Sequence, residues 1–140
     1  FQLGNTMGLS NVVTKQMDVL TAGQRTNVEN LDCRTSGPIP PNPAELLGSK
    51  GMDALLEEAY GLYDMILFDT PPVLAVTDPQ ILANKCHGTI LVVSSGTTEV
   101  EGAKKAKDQL NSAKAKLLGV VLNNKDIKST SYYYYYGNKN

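Results

Sequence analysis

Tryptophan is absent from this 140-residue chain, histidine occurs once and cysteine twice. Cys33 and Cys86 lie far apart with no CxxC spacing, and with His87 alone beside them they make no zinc set. The cysteines read as packing residues of a protein in a reducing cytoplasm, and His87, between a helix and a strand, as a surface residue. Neither sign of charge dominates, since 13 Lys and Arg stand against 14 Asp and Glu for a net charge of -1. The basic footprint of a nucleic-acid binder is therefore missing, and no nucleic acid partner is expected. No apolar run approaches the roughly 18 residues that span a bilayer, and no charged region followed by an apolar stretch opens the chain, so neither a membrane span nor a signal peptide is predicted. Phe1 to Gly8 (FQLGNTMG) reads as the middle of a loop, which suggests a processed product or a truncated coding sequence with a segment missing upstream.

Tyrosine, by contrast, is concentrated. Five of the seven form one run, Tyr132, Tyr133, Tyr134, Tyr135 and Tyr136, and the others are Tyr60 and Tyr63. A core aromatic is placed singly, where its ring fills a pocket, and adjacent strand residues point to opposite faces, so five in a row cannot all be buried. The run is expected to be exposed on a flexible polar tail, residues 129–140, of the kind found at domain ends. Exposed phenols on such a tail are phosphoryl acceptors or recognition elements; a packed aromatic terminus without chemistry is the plain alternative. Residues 1–128, in a chain that is 41% hydrophobic, suit one domain.

Along the chain, Ser10 is placed to cap a short helix over Asn11 to Gln16, weakened by Val12, Val13 and Thr14, with a second weak helix around Met17 to Thr21. Leu31 to Thr35 is a short strand candidate, ended by Ser36-Gly37-Pro38-Ile39-Pro40-Pro41. Asn42-Pro43-Ala44-Glu45 is a helix start, with proline at the first helical position and an acid three after the cap. Met52, Leu55, Leu56 and Ala59 share one face of the helix that resumes after Gly48-Ser49 and closes at Gly61. Met65-Ile66-Leu67-Phe68 has the continuous apolar pattern of a strand covered on both faces. Asp78-Pro79 caps a helix through about Asn84, with Ile81 and Leu82 inward. Thr89 to Val93 is the next buried strand. Thr98 and Glu101 form a capping box for a helix with Val100, Ala103, Ala106, Leu110 and Ala113 as its apolar stripe and Lys104, Lys105 and Lys107 in solvent. Leu117 to Leu122 is the last strand. Strands alternating with helices predict right-handed βαβ units in an open, mostly parallel sheet with helices on both faces.

In such a sheet ligands bind beyond the carboxyl ends of the strands, where Asp69 follows Phe68. An acid in that place is the usual Walker B arrangement, helping to hold Mg²⁺ beside nucleotide phosphates, although a turn acid looks the same. Thr70-Pro71-Pro72 favours the site, because two prolines fix the backbone that carries the carboxylate.

Here the sequence resembles the bacterial tyrosine kinases that regulate capsule and exopolysaccharide synthesis, over nearly the whole chain. The resemblance rests on Gly8-Leu9-Ser10, on Ser36 to Pro43 with Ala44 to Ser49, on Tyr63 to Pro72, on Gly119 to Asn123 and on the tyrosine run. The Asp-Thr-Pro-Pro segment occurs across related P-loop ATPases; the proline-rich segment and the tyrosine tail are more specific. The resemblance implies a P-loop NTPase-like (MinD/ParA-like) α/β fold, truncated at its N-terminus, and ATP with Mg²⁺ as cofactors of the intact kinase. Asp69 matches the Walker B acid. Asn123 matches the position that contacts adenine, although an Asn ending a strand is equally ordinary. Tyr132, Tyr133, Tyr134, Tyr135 and Tyr136 match the autophosphorylation cluster, presented to a neighbouring subunit within a homo-oligomeric ring. Further implied partners are a transmembrane activator protein, which would hold the kinase at the inner face of the cell membrane, a tyrosine phosphatase and protein substrates.

The departures from the family are large. The chain has no GxxxxGK[ST] phosphate loop, no second acidic strand motif and no Glu and Arg motif for ring assembly. All three precede, in the family, the point where this chain begins. The fragment is accordingly expected not to turn over ATP. Asp78 is expected to cap its helix rather than bind metal. A partition-type P-loop ATPase would share the Asp69 region but leaves the tyrosines without a reason; a non-enzymatic phosphorylatable adaptor would account for the missing phosphate loop.

Overall fold

A computed structural model of the chain describes residues 1–125. The order of elements is α1 (Leu9–Val13), β1 (Gln24–Arg25), β2 (Asp32–Cys33), α2 (Pro43–Gly48), α3 (Lys50–Tyr60), α4 (Asp78–Lys85), β3 (Thr89–Ser94), α5 (Val100–Ser112) and β4 (Leu117–Asn123). The tyrosine run and the expected boundary at residues 128 and 129 lie outside the described residues.

Two motif segments that are distant in sequence form one joint at the amino end of α1. The Gly8 amide donates to Asn11 Oδ1 at 3.0 Å, so Asn11, rather than Ser10, closes the start of this helix. The Leu9 and Ser10 amides donate to the Thr35 and Ser36 carbonyls at 2.9 and 3.0 Å. The approach is close enough that a Cβ on Gly8 would sit 2.2 Å from the Thr35 oxygen. Gly37, at φ 74°, turns the chain away and donates its amide to Asn5 Oδ1 at 2.8 Å. The helix stops after five residues because the Thr14 hydroxyl bonds back to the Ser10 carbonyl at 2.8 Å and Lys15 turns to φ 60°. No helix forms over Met17 to Thr21. Asp18 closes a single turn there instead, its carboxylate accepting from the Thr21 amide and hydroxyl, both at 2.7 Å.

The helices behave largely as their patterns require. The Ser49 hydroxyl donates to the Leu46 carbonyl at the end of α2 and accepts from the Met52 amide at the start of α3. Met52, Leu55, Leu56 and Ala59 face inward and, with Val12, Val13, Val19, Leu47 and Leu82, make the core. Lys85 on α4 pairs with Asp53 on α3, and Tyr60 stacks on exposed His87 with ring centroids 5.2 Å apart. Cys33 and Cys86 are half-buried and unpaired. Two caps differ from expectation. Thr77 rather than Asp78 precedes α4, so Asp78 lies in the first turn, where its charge suits the helix dipole. Thr98 spends its hydroxyl on the Ser94 amide at 2.9 Å, Glu99 precedes α5, and Glu101 pairs with Lys104, so no capping box forms and Val100 is exposed.

The strands depart further. β1 and β2 form a two-residue antiparallel hairpin, shorter than the Leu31 to Thr35 strand expected. β3 and β4 pair in parallel, from Thr89 opposite Leu117 and, after a bulge, from Ile90 opposite Gly119 to Ser94 opposite Asn123. The extra residue, Leu118, lies over Gly88, where a Cβ would be 2.4 Å from its Cδ1. Met65 to Phe68 is extended but belongs to no ladder. Its side chains alternate: Ile66 and Phe68 pack on the core, while Met65 and Leu67 are 75% and 81% exposed. A run of four apolar residues becomes a central strand only where strands lie beside it, and among the described residues none does.

These contrasts set the stability. Met52→Ala, at a fully buried position, should cost about 2–5 kcal/mol in urea denaturation, whereas Leu67→Ala should change stability by less than about 0.5 kcal/mol. The Thr21 hydrogen bonds hold the Asp18 carboxyl below its ordinary value of 3.8. Asp18 therefore adds stability above that value, and the contribution disappears as the pH falls through the lowered one. Asp18→Asn should lower stability at neutral pH, where the contribution is full, and flatten the acid limb of a stability-against-pH curve below about pH 4, where the two proteins converge.

Candidate functional site

Asp69 ends the extended segment, exposed to solvent and, among the described residues, without a hydrogen bond or ion pair. Its position is set from behind. Phe68 and Ile66 anchor the segment to the core, and Tyr63 fixes its root. The Tyr63 hydroxyl donates to Asp32 Oδ2 at 3.0 Å and accepts from Arg34 Nη2 at 2.9 Å. Arg34 also lies 5.0 Å from the Tyr63 ring centroid and donates from Nε to the Val19 carbonyl at 2.8 Å. One guanidinium thus ties the β2 strand, the loop before β1 and the start of the Asp69 segment together. Sequence reasoning missed this node. The partners are 29 and 31 residues from Tyr63, and no local pattern announces them.

Asn123 closes β4 beside the end of β3. The Ser95 amide donates to the Asn123 carbonyl at 2.8 Å, and Asn124, at φ 56°, sends its side-chain amide to Ser94 Oγ at 2.8 Å. Asn123 Oδ1 accepts from the Asn124 amide at 2.9 Å, which leaves its own amide group as a donor toward solvent. The carboxyl ends of β3 and β4 therefore carry a polar set of Ser94, Ser95, Thr98, Asn123 and Asn124, of which the sequence marks only Asn123 as a binding residue. Asp69 shares no hydrogen bond with that set.

A free, exposed carboxylate on a proline-fixed loop suits one ligand position of a hydrated Mg²⁺. Among the described residues no group of three or more His, Cys, Asp or Glu gathers to complete a metal site. Asp69 therefore offers one carboxylate, with no such group around it. Partial burial raises the Cys86 thiol above its ordinary value, which disfavours the thiolate. No helix among the described residues is long and apolar enough to cross a membrane.

No family model matches the chain. Similar proteins nevertheless carry one name. The tyrosine-protein kinase YwqD of Bacillus subtilis (strain 168) is 54% identical over 139 residues, 99% of this chain. Along almost its whole length the chain is similar to a bacterial tyrosine kinase. Among solved structures, the kinase domain of the Escherichia coli tyrosine kinase ETK is similar over 97% of this chain with a TM-score of 0.83 and 32% identity. The chimerical protein CapA2B2 is similar over 89% with a TM-score of 0.84 and 38% identity. The fold is thus that of a tyrosine kinase domain, P-loop NTPase-like, as expected. The chain spans 59% of YwqD, 53% of the ETK chain and 55% of the CapA2B2 chain. It corresponds to a C-terminal portion of such a kinase.

Removing the Tyr63 hydroxyl leaves Asp32 and Arg34 to water. Tyr63→Phe should lower the stability of the 140-residue chain by about 1–2 kcal/mol and speed amide exchange from Asp64 to Asp69 more than in α3.

Proposed function

We propose that this chain is part of an ATP-dependent protein-tyrosine kinase that phosphorylates its own C-terminal tyrosine cluster and thereby regulates the synthesis and export of capsular or exopolysaccharide. The observation that carries the reading is the 54% identity to the tyrosine-protein kinase YwqD along virtually the whole chain, with a free Asp69 carboxylate at the end of the extended segment. ATP and Mg²⁺ are the cofactors of the intact kinase; the metal, when bound, neutralises charge on the phosphates. Asp69 would hold it, directly or through water. Asn123 would meet the adenine base with its free amide donor, and its present bond to the Asn124 amide would exchange for base contacts.

Tyr132 to Tyr136 are the acceptors. A tyrosine oxygen attacks the γ-phosphorus of ATP, the bond to the β,γ-bridging oxygen breaks, ADP leaves, and the phenolic proton passes to a base. A phenol with a pKa near 10 needs that base at neutral pH. Neither the base nor the phosphate loop can be identified in this sequence, so the chain by itself should not turn over ATP. Presentation of the tail to a neighbouring subunit in a ring would supply proximity. Each phosphate adds about -1.5 to -2 charges, so a fully modified cluster would carry about -7.5 to -10 and be repelled from an acidic site, releasing the ring. A transmembrane activator would hold the assembly at the inner face of the membrane, with a tyrosine phosphatase resetting it and further protein substrates acted on in turn.

The test is intact-mass and phosphotyrosine analysis after incubation with Mg-ATP. The expected outcome is no phosphate on the chain alone, and phosphate on Tyr132 to Tyr136 once it is mixed with YwqD. Phosphate on the chain alone would overturn the account of the missing phosphate loop. No phosphate with active YwqD would overturn the acceptor role of the cluster and favour the partition-type reading. In a chain extended to the full kinase, Asp69→Asn should lower turnover by about a hundredfold or more, with a smaller change in folding stability.

A further inference from the structure

Charge is divided along this chain. At and after Lys104 stand eight of the 13 Lys and Arg but two of the 14 Asp and Glu, a net of +6, whereas the residues before it hold five bases and 12 acids, a net of -7. Much of the basic part is one surface element, α5 and the turn that follows it. Ala106 and Leu110 bury one side of the helix, while Lys104, Lys105, Lys107, Lys114 and Lys116 are all exposed. Val100, Lys104, Lys107 and Asn111 stand at i, i+4, i+7 and i+11, a single stripe turned away from the core, and Val100 at its head is 70% exposed. Glu101 is spent on Lys104 at 2.8 Å, which leaves Asp108 as the helix's other acid. Lys105, Lys107, Lys114 and Lys116 pair with no acid among the described residues.

One segment of the chain matches this face in sign, in chemistry and in reach. Phosphorylated at all five positions, Tyr132 to Tyr136 would carry about -7.5 to -10 charges, repelled by the acidic residues before Lys104 and drawn to the lysines after it. A phosphotyrosine joins an apolar ring to an anion, and the stripe offers Val100 and lysine stems for the ring and ammonium groups for the phosphate. The root of the tail is also in the right place. β4 ends at Asn123, opposite Ser94, and α5 begins at Val100, six residues after Ser94, so both start from one edge of the β3–β4 pair. Seven residues separate Lys125 from Tyr132, a reach of at most about 25 Å, and the 13-residue α5 is about 20 Å long. We propose that α5 is the docking face for the tyrosine run of its own chain once that run is phosphorylated. Neutral tyrosines bring no charge to the lysines, so the unmodified run stays available as an acceptor. Docking then withdraws the phosphates from the acidic part of the molecule and from hydrolysis. The inference rests on the reading of Tyr132 to Tyr136 as phosphate acceptors and adds where the modified run goes.

The 140-residue chain is made semisynthetically with phosphotyrosine at Tyr132 to Tyr136, so docking is read whether or not a kinase installs the phosphates, and the Mg-ATP test above stays a separate test of the activity. The rate at which a lysine-acylating reagent modifies each residue is compared by mass spectrometry in the phosphorylated and unmodified chains. Expected at low salt is acylation slowed by about threefold or more at Lys104, Lys105 and Lys107, unchanged at exposed Lys15 and Lys50, independent of protein concentration and lost in about 1 M salt, where the screening length is about 3 Å. Lys104→Gln, Lys105→Gln and Lys107→Gln together, at exposed helix positions, should leave the circular dichroism unaltered and let an added tyrosine phosphatase strip the tail about threefold faster. Equal acylation of the two chains, protection that grows with protein concentration and so comes from another copy, or a phosphatase rate indifferent to the glutamines would overturn the proposal. So would protection of the same lysines by phosphatidylserine vesicles but not by the phosphorylated tail.

Discussion

Packing of Ile66 and Phe68 on the helical core is the constraint on which the rest of the site depends, because it keeps the segment before Asp69 extended without a single ladder hydrogen bond. Apolar side chains on alternate positions fix the direction of the chain, and Tyr63 fixes where it starts. The Arg34 guanidinium completes the hold, since it bonds the Tyr63 hydroxyl and the Val19 carbonyl at once. Two prolines after Asp69 then restrict the backbone beyond it. The Asp69 carboxylate is thus held from both sides while its own oxygens stay free.

The same logic explains the division of labour in the fold. The helices α1 to α4 and the loop from Met17 to Ala22 share a dry core around Met52 and Val19, both fully buried. The β3–β4 pair is richly apolar too but buries far less of its apolar surface. Sheet strands of the parallel type depend on neighbours for both their hydrogen bonds and their cover, whereas helices satisfy their backbone internally. The helical half therefore buries its apolar face, and the strand pair leaves much of its own exposed.

Much of the helical half was legible. Ser49 and Gly61 bracket α3, Pro43 starts α2, and the spacing of Met52, Leu55, Leu56 and Ala59 names the buried face. The errors share a cause. Ser10, Asp78 and Thr98 were assigned as caps from residue type, but a cap is chosen by which oxygen reaches which amide: Asn11 reached Gly8, and Thr98 was taken by Ser94. The Met17 to Thr21 helix gave way to the Asp18 turn, since a carboxylate that accepts two bonds from Thr21 competes with helical pairing. At the site, Asp69 and Asn123 were visible as polar residues ending apolar runs, while Arg34, Asp32, Ser94 and Asn124 were not, because their roles exist only through contacts about 30 residues away in the chain.

By itself the sequence determined the order of helices and apolar segments, the likeness to the bacterial tyrosine kinases, and the residue types at the ends of the strands, since these follow from local spacing and from motifs read in one dimension. The tertiary structure decided which of those segments are paired. Met65-Ile66-Leu67-Phe68 and Leu117 to Leu122 have the same apolar pattern, yet one remains a lone extended segment and the other is hydrogen-bonded to β3. A strand's hydrogen bonds lie between chain segments, so its state is set by what stands beside it and no pattern within four residues can contain that information.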